Sequence, residues 1–185
     1  MRFHASLGVA FCVICLPVLS GAADEIPHRK AGLWRMERIT QGAPSPLGAM
    51  EMCVDEKTDD ILRQRFGGDQ EQKCEKISFK RDGDLYRVSS VCKIDETTVA
   101  KTEGTFNGSF DSAYRAEFHM TYSPPLHNRA AVDLVLDAKW LGPCKPGQKP
   151  GDVFAPGLKG LGGPGGQINV QELMKMREQL RKGAQ

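Results

Sequence analysis

The sequence has little net charge, few aromatic residues and no long apolar run after residue 23, and each absence excludes a class of protein. The formal net charge is +2 at pH 7, and aromatic residues make up 7% of the chain. No basic patch is interleaved with aromatic side chains, as nucleic-acid recognition would need. After residue 23, no apolar stretch reaches the roughly 20 residues of a membrane-spanning helix. We therefore expect neither nucleic-acid binding nor a membrane span.

Motifs of catalytic and cofactor sites are also missing. No serine has the Gly-x-Ser-x-Gly setting of a nucleophile elbow, and no hydrolase motif surrounds His28, His119 or His127. The glycine-rich segment 160–166 follows no strand and lacks a Gly-Lys-Ser/Thr ending, so it does not form a phosphate-binding loop. We predict no catalytic residue, no cofactor and no enzymatic activity.

Two Met-x-Met pairs raise the question of copper(I), which prefers soft thioether ligands. Met50 and Met52 equally suit one buried face of a strand. Met174 and Met176 cannot share a face of a helix. We therefore expect no metal site.

The start of the chain has the three parts of an export signal. Arg2 precedes an almost wholly apolar run from Ala5 to Leu16, and small residues at 20–23 suit a cleavage site. A cut after Ala22 or Ala23 fits equally well. Residue 22 is alanine where a lipoprotein signal would have cysteine, so no lipid anchor is expected. The sequence thus predicts a signal peptide over 1–23 and a mature protein that is soluble in the periplasm or secreted.

Residues 24–144 have the pattern of one mainly β domain. Alternating apolar and polar residues predict strands at 32–39, 49–54, 97–106, 110–122 and 129–141. The last two loops are expected at Asn107-Gly108 and at Ser123-Pro124-Pro125. A short helix is predicted from Asp55 to Phe66, because its charges suit the helix dipole and two glycines follow it. The expected architecture is a curved antiparallel meander sheet with one short helix.

A hairpin around Asp82-Gly83 is the most specific local prediction. Asp-Gly favours a type I′ turn, in which both central residues have positive φ. Alternation on both sides then places apolar residues opposite each other on one face. The expected pairs are Arg81 with Asp84, Phe79 with Tyr86, and Ile77 with Val88.

Four cysteines remain after residue 23, and export to an oxidising compartment favours disulfides. A one-residue bulge at Ser89-Ser90 would restore the alternation of that strand and bring Cys92 opposite Cys74. Cys53 and Cys144 are then the second pair. The alternatives are free thiols or a zinc site, but the gaps of 21, 18 and 52 residues differ from the close thiol pairs of structural zinc.

Beyond Cys144 the composition changes. Residues 145–167 are rich in glycine and proline and predict a flexible linker. Asn169 and Glu172 have the spacing of an N-cap and its acidic partner, so residues 168–185 predict a helix that runs to about Lys182. Residues 145–185 carry seven Lys or Arg against three Asp or Glu, which makes this tail basic.

Several short motifs resemble the bacterial domain-of-unknown-function 3617 family. They are Lys30-Ala31-Gly32-Leu33-Trp34, Met52-Cys53-Val54, the two central cysteines and Leu141-Gly142-Pro143-Cys144. The similarity covers roughly 28–144, and Ala31 stands where proline is common. Members of that family are typically exported proteins of Gram-negative bacteria with no established activity. The resemblance implies an envelope location and a shared disulfide frame, and it transfers no catalytic residue.

Three hypotheses of function follow. In the first, the protein is a monomeric, non-catalytic binding or interaction module, and aromatic side chains on the concave face of the sheet hold an apolar small molecule. The candidates are Trp34, Phe79, Tyr86 and Trp140, and the favoured alternative is that these residues are simply the core. In the second, the basic C-terminal helix docks to a partner in the envelope. In the third, the protein is an uncatalogued envelope enzyme.

Overall fold

The computed structural model describes residues 27–56, 59, 74–158, 167–173, 175 and 179. Within them the protein is mainly β, as the sequence predicts. The strands are β1 Gly32–Thr40, β2 Ala43–Pro44, β3 Met50–Val54, β4 Cys74–Asp82, β5 Leu85–Lys93, β6 Val99–Ser109, β7 Ala113–Leu126, β8 Arg129–Gly142, β9 Asp152–Phe154 and β10 Gln167–Asn169. A single 3-10 turn, Pro156–Leu158, is also assigned in these residues.

All strands belong to one open antiparallel sheet. Its order is β10-β9-β3-β1-β8-β7-β6-β5-β4, and β2 pairs with β1. Strands β4 to β8 form a meander, in which each strand pairs with the next one along the chain. β1 then joins the far side of β8 and carries β3 on its own outer edge. The predicted antiparallel meander is therefore confirmed and extended.

The predicted helix from Asp55 to Phe66 lies almost wholly outside the described residues. At its start, the backbone N–H of Asp59 donates to the carbonyl of Asp55 at 2.9 Å, and the described residues 55, 56 and 59 are not helical.

The hairpin between β4 and β5 has a different register from the predicted one. Asp82 pairs with Leu85, so the two loop residues are Gly83 and Asp84. Of these two, only Gly83 has a positive φ, 62°, which is the type II′ pattern with glycine first. The prediction placed the turn one residue too early. Phe79 therefore pairs with Val88, and not with Tyr86.

The bulge is also on the other strand. The ladder shifts between Cys74 and Lys76, so the extra residue is Glu75 on β4, whereas the sequence predicted Ser89-Ser90 on β5. A turn one residue later lengthens β4 instead of β5, and the compensating residue moves with it. Cys74 still lies directly opposite Cys92.

Two predicted loops prove to be strand. β6 continues through Asn107-Gly108 to Ser109, and β7 continues through the Ser123–Pro125 segment to Leu126. The β7–β8 turn is instead formed by His127 and Asn128, whose φ angles of 48° and 63° fit a type I′ hairpin. The β7–β8 register shifts between Thr121 and Leu126, where the two prolines have no N–H to donate.

The predicted linker 145–167 is largely ordered in its described part. Residues 145–151 form turns. The N–H of Gly151 donates to the carbonyl of Cys53 in β3 at 2.8 Å, which ties these turns to the sheet. β9 then pairs with β3, and β10 pairs with β9. Val153 and Ala155 are buried, so this segment gains apolar contacts that its glycine and proline content conceals. We call residues 145–158 and 167–170 the strap.

Both disulfides that the sequence predicts are present. Cys53 is bonded to Cys144, which joins β3 to the chain just after β8, and Cys74 is bonded to Cys92 across the β4–β5 ladder. The first bond spans 91 residues and the second spans 18. All four of these cysteines are therefore in structural disulfides.

The core lies against one face of the sheet. Its centre is Phe106, 2% exposed, whose ring centroid is 5.4–6.0 Å from the rings of four other aromatics. These are Phe79, Phe110, Tyr114 and Phe118. Even-numbered residues of β5 to β8 point to this face, so the odd-numbered residues of the same strands face the opposite way, and most of them are polar.

Candidate functional site

The four aromatic residues predicted as a ligand site belong to the core. Trp34 is 0% exposed, and its indole N–H donates to the carbonyl of Lys30 at 2.8 Å. Phe79 and Tyr86 are half-buried, with ring centroids 5.3 Å apart, and both pack against the core. Trp140 pairs with Trp34 across β1 and β8 and also packs against the core. The structure favours the core interpretation for this set.

Trp140 is held in place by the lead into β1. Its indole N–H donates to the carbonyl of Ala31 at 3.1 Å, and the Lys30 ammonium lies 3.9 Å from the ring centroid. An ammonium over an indole face is a favourable cation–π contact. Both tryptophans therefore anchor residues 30–31 to the sheet.

The opposite face carries two rows of side chains that run across five strands. The register places one residue of each strand, from β4 to β8, in each row. The first row is Ser78, Ser89, Glu103, His119 and Asp133. The second row is Lys80, Arg87, Thr105, Glu117 and Val135. Together they line an open groove of about 710 Å³, which we call the polar groove.

Charge is distributed unevenly along the polar groove. Its β4–β5 end holds the cations Lys80 and Arg87 beside two serine hydroxyls. Its β6–β8 end holds three carboxylates, Glu103, Glu117 and Asp133. The strand register produces this separation, because each charged residue projects from the outer face of its own strand.

Some of these charges are paired. The Arg87 Nε lies 2.7 Å from the Asp82 Oδ2, and the His119 Nδ1 lies 2.6 Å from the Asp133 Oδ1. Lys80 and Glu103 make no ion pair or hydrogen bond within the described part of the chain. The groove therefore presents one unpaired cation and one unpaired anion, two strands apart.

Glu117 belongs to a small ion network on the same face. The Arg115 guanidinium donates to Glu117 at 2.8 Å and to Asp137 at 2.8 Å. These hydrogen bonds raise the pKa of Arg115. Two carboxylates around one guanidinium leave a net negative charge, so the β6–β8 end stays acidic.

A second groove of about 650 Å³ continues on this face towards β1. Its charged side chains are Arg35, Glu37, Arg115, Asp137 and Lys139. Arg35 and Glu37 form an exposed pair at 3.1 Å. Neither groove is lined by the four aromatic residues discussed above.

The histidine and the serines of the polar groove lie far apart. His119 and Asp133 form a histidine–carboxylate pair, but both side chains are more than half exposed. The serine of the same row, Ser89, is two strands from His119, which is about 10 Å at the usual strand spacing. That separation is too long for a base to take a proton from a hydroxyl. Among the described residues, no three His, Cys, Asp or Glu side chains form a metal site.

The His119–Asp133 pair escaped the sequence analysis for a physical reason. Partners across a hairpin are found by counting from its turn. The turn lies at His127-Asn128, and the register also shifts between Thr121 and Leu126. Counting from Ser123-Pro124-Pro125 therefore gave no reason to place these two residues together.

A buried ion pair was also missed. The Arg29 guanidinium contacts the Asp59 carboxylate at 2.5 Å, and the two side chains are 2% and 0% exposed. The backbone N–H of Arg29 donates to the same carboxylate at 2.6 Å. Burial alone would lower the pKa of Arg29, but its hydrogen bond to Asp59 and the neighbouring charges raise it. Burial raises the pKa of Tyr114 beside this pair. The pair ties the lead into β1 to the turn after β3.

The remaining predicted residues occupy structural positions. The His28 Nδ1 lies 2.8 Å from the Asp59 carbonyl, and His127 is in the β7–β8 turn. The Asn169 side chain accepts hydrogen bonds from the N–H groups of Gln171 and Glu172, as the predicted N-cap requires. The chain is helical at 170–173, 175 and 179. Val170 packs against the core, so this helix starts on the body of the protein.

The fold and the disulfides define the class of protein, which is a single-sheet antiparallel β protein with two disulfide bonds and a charged outer face. Within its described residues, no helix is both long and apolar enough to span a bilayer. The family model described as "Protein of unknown function (DUF3617)" matches residues 29–144, and the chain belongs to that family. Comparison with curated proteins and with solved structures finds no match. The matched range contains the ion pair, both disulfides and the polar groove, and it ends where the strap begins.

Proposed function

We propose that the protein is an exported, non-catalytic binding module of the cell envelope, that it is a monomer, and that it binds through the polar groove. The observation that carries this proposal is the in-register placement of ten side chains from five strands around one groove. Rigid strands hold such groups in fixed relative positions, as a binding site requires. The aromatic face is occupied by the core and offers no comparable site among the described residues.

The compartment is supported by two independent features. Two disulfides form and persist in oxidising spaces, such as the periplasm or the outside of the cell. Residues 1–23 have the pattern of an export signal. Together they support a periplasmic or secreted protein that functions after cleavage near Ala22 or Ala23.

Fractionation and thiol labelling test the compartment. We expect the full-length gene product, expressed in a Gram-negative host, to appear in the osmotic-shock fraction without residues 1–22 or 1–23. All four cysteines should resist alkylation until a reductant is added. A cytoplasmic product with reactive thiols would refute the export part of the proposal.

Site-directed photo-crosslinking in the same host tests the binding face. A photoreactive residue at Ser89 or Thr105, both in the polar groove, should give a discrete adduct of constant mass. The same residue at Asp111, in the exposed β6–β7 turn, is the matched control and should give none. Equal labelling from Asp111, or no adduct from the groove, would exclude this face as the binding site.

A further inference from the structure

The order of charges along the polar groove restricts the ligand that it can hold. Lys80 and Arg87 are neighbours on β4 and β5, whereas the carboxylates Glu103, Glu117 and Asp133 follow on β6, β7 and β8. A ligand with one sign of charge would be attracted at one end and repelled at the other. Charge complementarity across the whole groove requires a ligand that is anionic at one end and cationic at the other.

The distance between the two ends sets the spacing of those charges. The midpoint between β4 and β5 is three strand spacings from the midpoint between β7 and β8, which is about 14 Å. An extended polypeptide advances about 3.4 Å per residue, so residues i and i+4 are also about 14 Å apart. Residues i and i+4 of an extended chain point to the same side. An extended peptide laid across the strands can therefore place both charges on the groove at once.

The hydroxyl groups of the groove suit a peptide backbone. Ser78, Ser89 and Thr105 have hydroxyl groups that can both donate and accept hydrogen bonds. Peptide N–H and C=O groups need both kinds of partner when they leave water. The volume of about 710 Å³ is within the usual range for small-ligand sites.

From this charge order and spacing, we propose that the polar groove binds an extended, dipolar peptide segment with an acidic and a basic residue four positions apart. The acidic residue lies over Lys80 and Arg87, and the basic residue lies over Glu117 and Asp133. This inference rests on the proposed function, since it assigns a ligand class to the same groove. The peptide chain can run across the strands in either direction, because only the positions of its two charged residues must match the groove.

Calorimetry and NMR shift mapping with capped synthetic peptides test the ligand class. The probe is an N-acetylated, C-amidated peptide with Asp and Lys separated by three Ser or Gly residues. Peptides of the same length with Asp and Lys adjacent, with two Asp or with two Lys are the controls. We expect the probe to bind at least 10-fold more tightly than each control at low ionic strength, with shifts at Ser89 and Thr105. Equal affinity for all four peptides would overturn the proposal.

A charge-reversed variant provides the sharper test. In K80E/R87E the groove becomes acidic along its whole length. The affinity for the dipolar probe should therefore fall at least 10-fold, and the two-Lys peptide should become the tightest ligand. Both residues are exposed, and an unchanged circular dichroism spectrum will verify the fold. The matched control is R129E, which reverses an exposed charge outside the groove and should change nothing. Unaltered peptide preference in K80E/R87E would refute the assignment.

Two further outcomes separate this proposal from the broader one. Groove-specific crosslinking without binding of the dipolar probe would refute the ligand class while leaving the binding face intact. Sedimentation equilibrium will show whether a second copy of the chain occupies the groove. A dimer that K80E/R87E dissociates would refute both the peptide ligand and the monomeric state.

Discussion

At the scale of single residues, the Arg29–Asp59 pair shows how a buried charge can hold two distant segments together. Arg29 precedes β1, and Asp59 follows β3, so the pair joins points 30 residues apart. The carboxylate accepts one backbone and two side-chain hydrogen bonds from Arg29. Removing one partner of such a pair leaves an uncompensated charge in a dry site, which costs more than the pair contributes.

We expect Asp59→Asn to lower the free energy of unfolding by about 3–5 kcal/mol, because the Arg29 guanidinium remains buried without its counter-ion. Urea denaturation of the oxidised protein measures this loss. Glu37→Gln breaks the exposed pair with Arg35 and should change stability by less than about 1 kcal/mol. Equal losses in the two variants would show that the buried pair is not a structural clasp.

Asp95 provides a residue-scale prediction about pH. Its carboxylate accepts backbone hydrogen bonds from Thr97 at 2.9 Å and from Thr98 at 2.7 Å, in the loop between β5 and β6. These bonds lower the pKa of Asp95 from 3.8 to about 2. A depressed pKa stabilises the fold above the unfolded value, so this contribution is present above about pH 4 and is lost as the pH falls towards 2.

An NMR titration of the Asp95 carboxyl carbon should therefore have its midpoint near pH 2. Asp95→Asn should flatten the dependence of stability on pH between about pH 4 and pH 2. The slope of stability against pH near neutrality should not change. A midpoint for Asp95 at its ordinary value would contradict the loop geometry.

At the scale of elements, the strap depends on one carboxylate. Asp152 is buried and accepts hydrogen bonds from the Lys149 N–H, the Gln167 amide and the Asn169 amide, at 2.7–3.0 Å. It therefore joins the turn before β9 to β10. The β9–β3 ladder itself contains only two residue pairs, so Asp152 supplies much of the polar contact that orders the strap.

We expect Asp152→Ala to release β9 and β10 while the meander stays folded. Three donors lose their acceptor, which should cost about 1–3 kcal/mol of local stability. Hydrogen exchange followed by mass spectrometry should show faster exchange at 152–154 and 167–169, with β6 and β7 unchanged. Glu172→Ala, an exposed change nearby, should leave both regions as they are. Uniform acceleration across the sheet would indicate that the strap is inseparable from the global fold.

The hairpins show how far element-level prediction reached. The alternation of apolar residues correctly predicted the strands β5 to β8 and the opposition of Cys74 and Cys92. The exact turns were wrong because the loops are Gly83-Asp84 and His127-Asn128, whereas Asp82 and the Ser123–Pro125 segment belong to strands. Local sequence preferences do not distinguish these cases, because the register is decided by packing over the whole ladder.

At the scale of the whole molecule, the two disulfides constrain very different loops. Cys53–Cys144 joins residues 91 apart, and Cys74–Cys92 joins residues 18 apart. In a chain-entropy model, the longer loop stabilises the fold by about 4–5 kcal/mol and the shorter by about 3 kcal/mol.

Cys53→Ala/Cys144→Ala should therefore destabilise the protein more than Cys74→Ala/Cys92→Ala. Guanidinium denaturation of both double variants against the oxidised parent measures the two losses. The reverse order would show that native-state packing around β4, and not loop closure, determines the contribution of each bond.

The sequence by itself determined the mainly β class, the disulfide frame and the family, and it predicts an export signal. These properties depend on local composition, on period-two alternation and on short motifs, all of which a linear chain displays. Tertiary structure alone decided the strap, the buried Arg29–Asp59 pair and the polar groove. Each of them joins residues that are far apart in sequence, and a one-residue change of register would redistribute every side chain between the core and the outer face. The candidate site follows from register, which only the packed sheet determines.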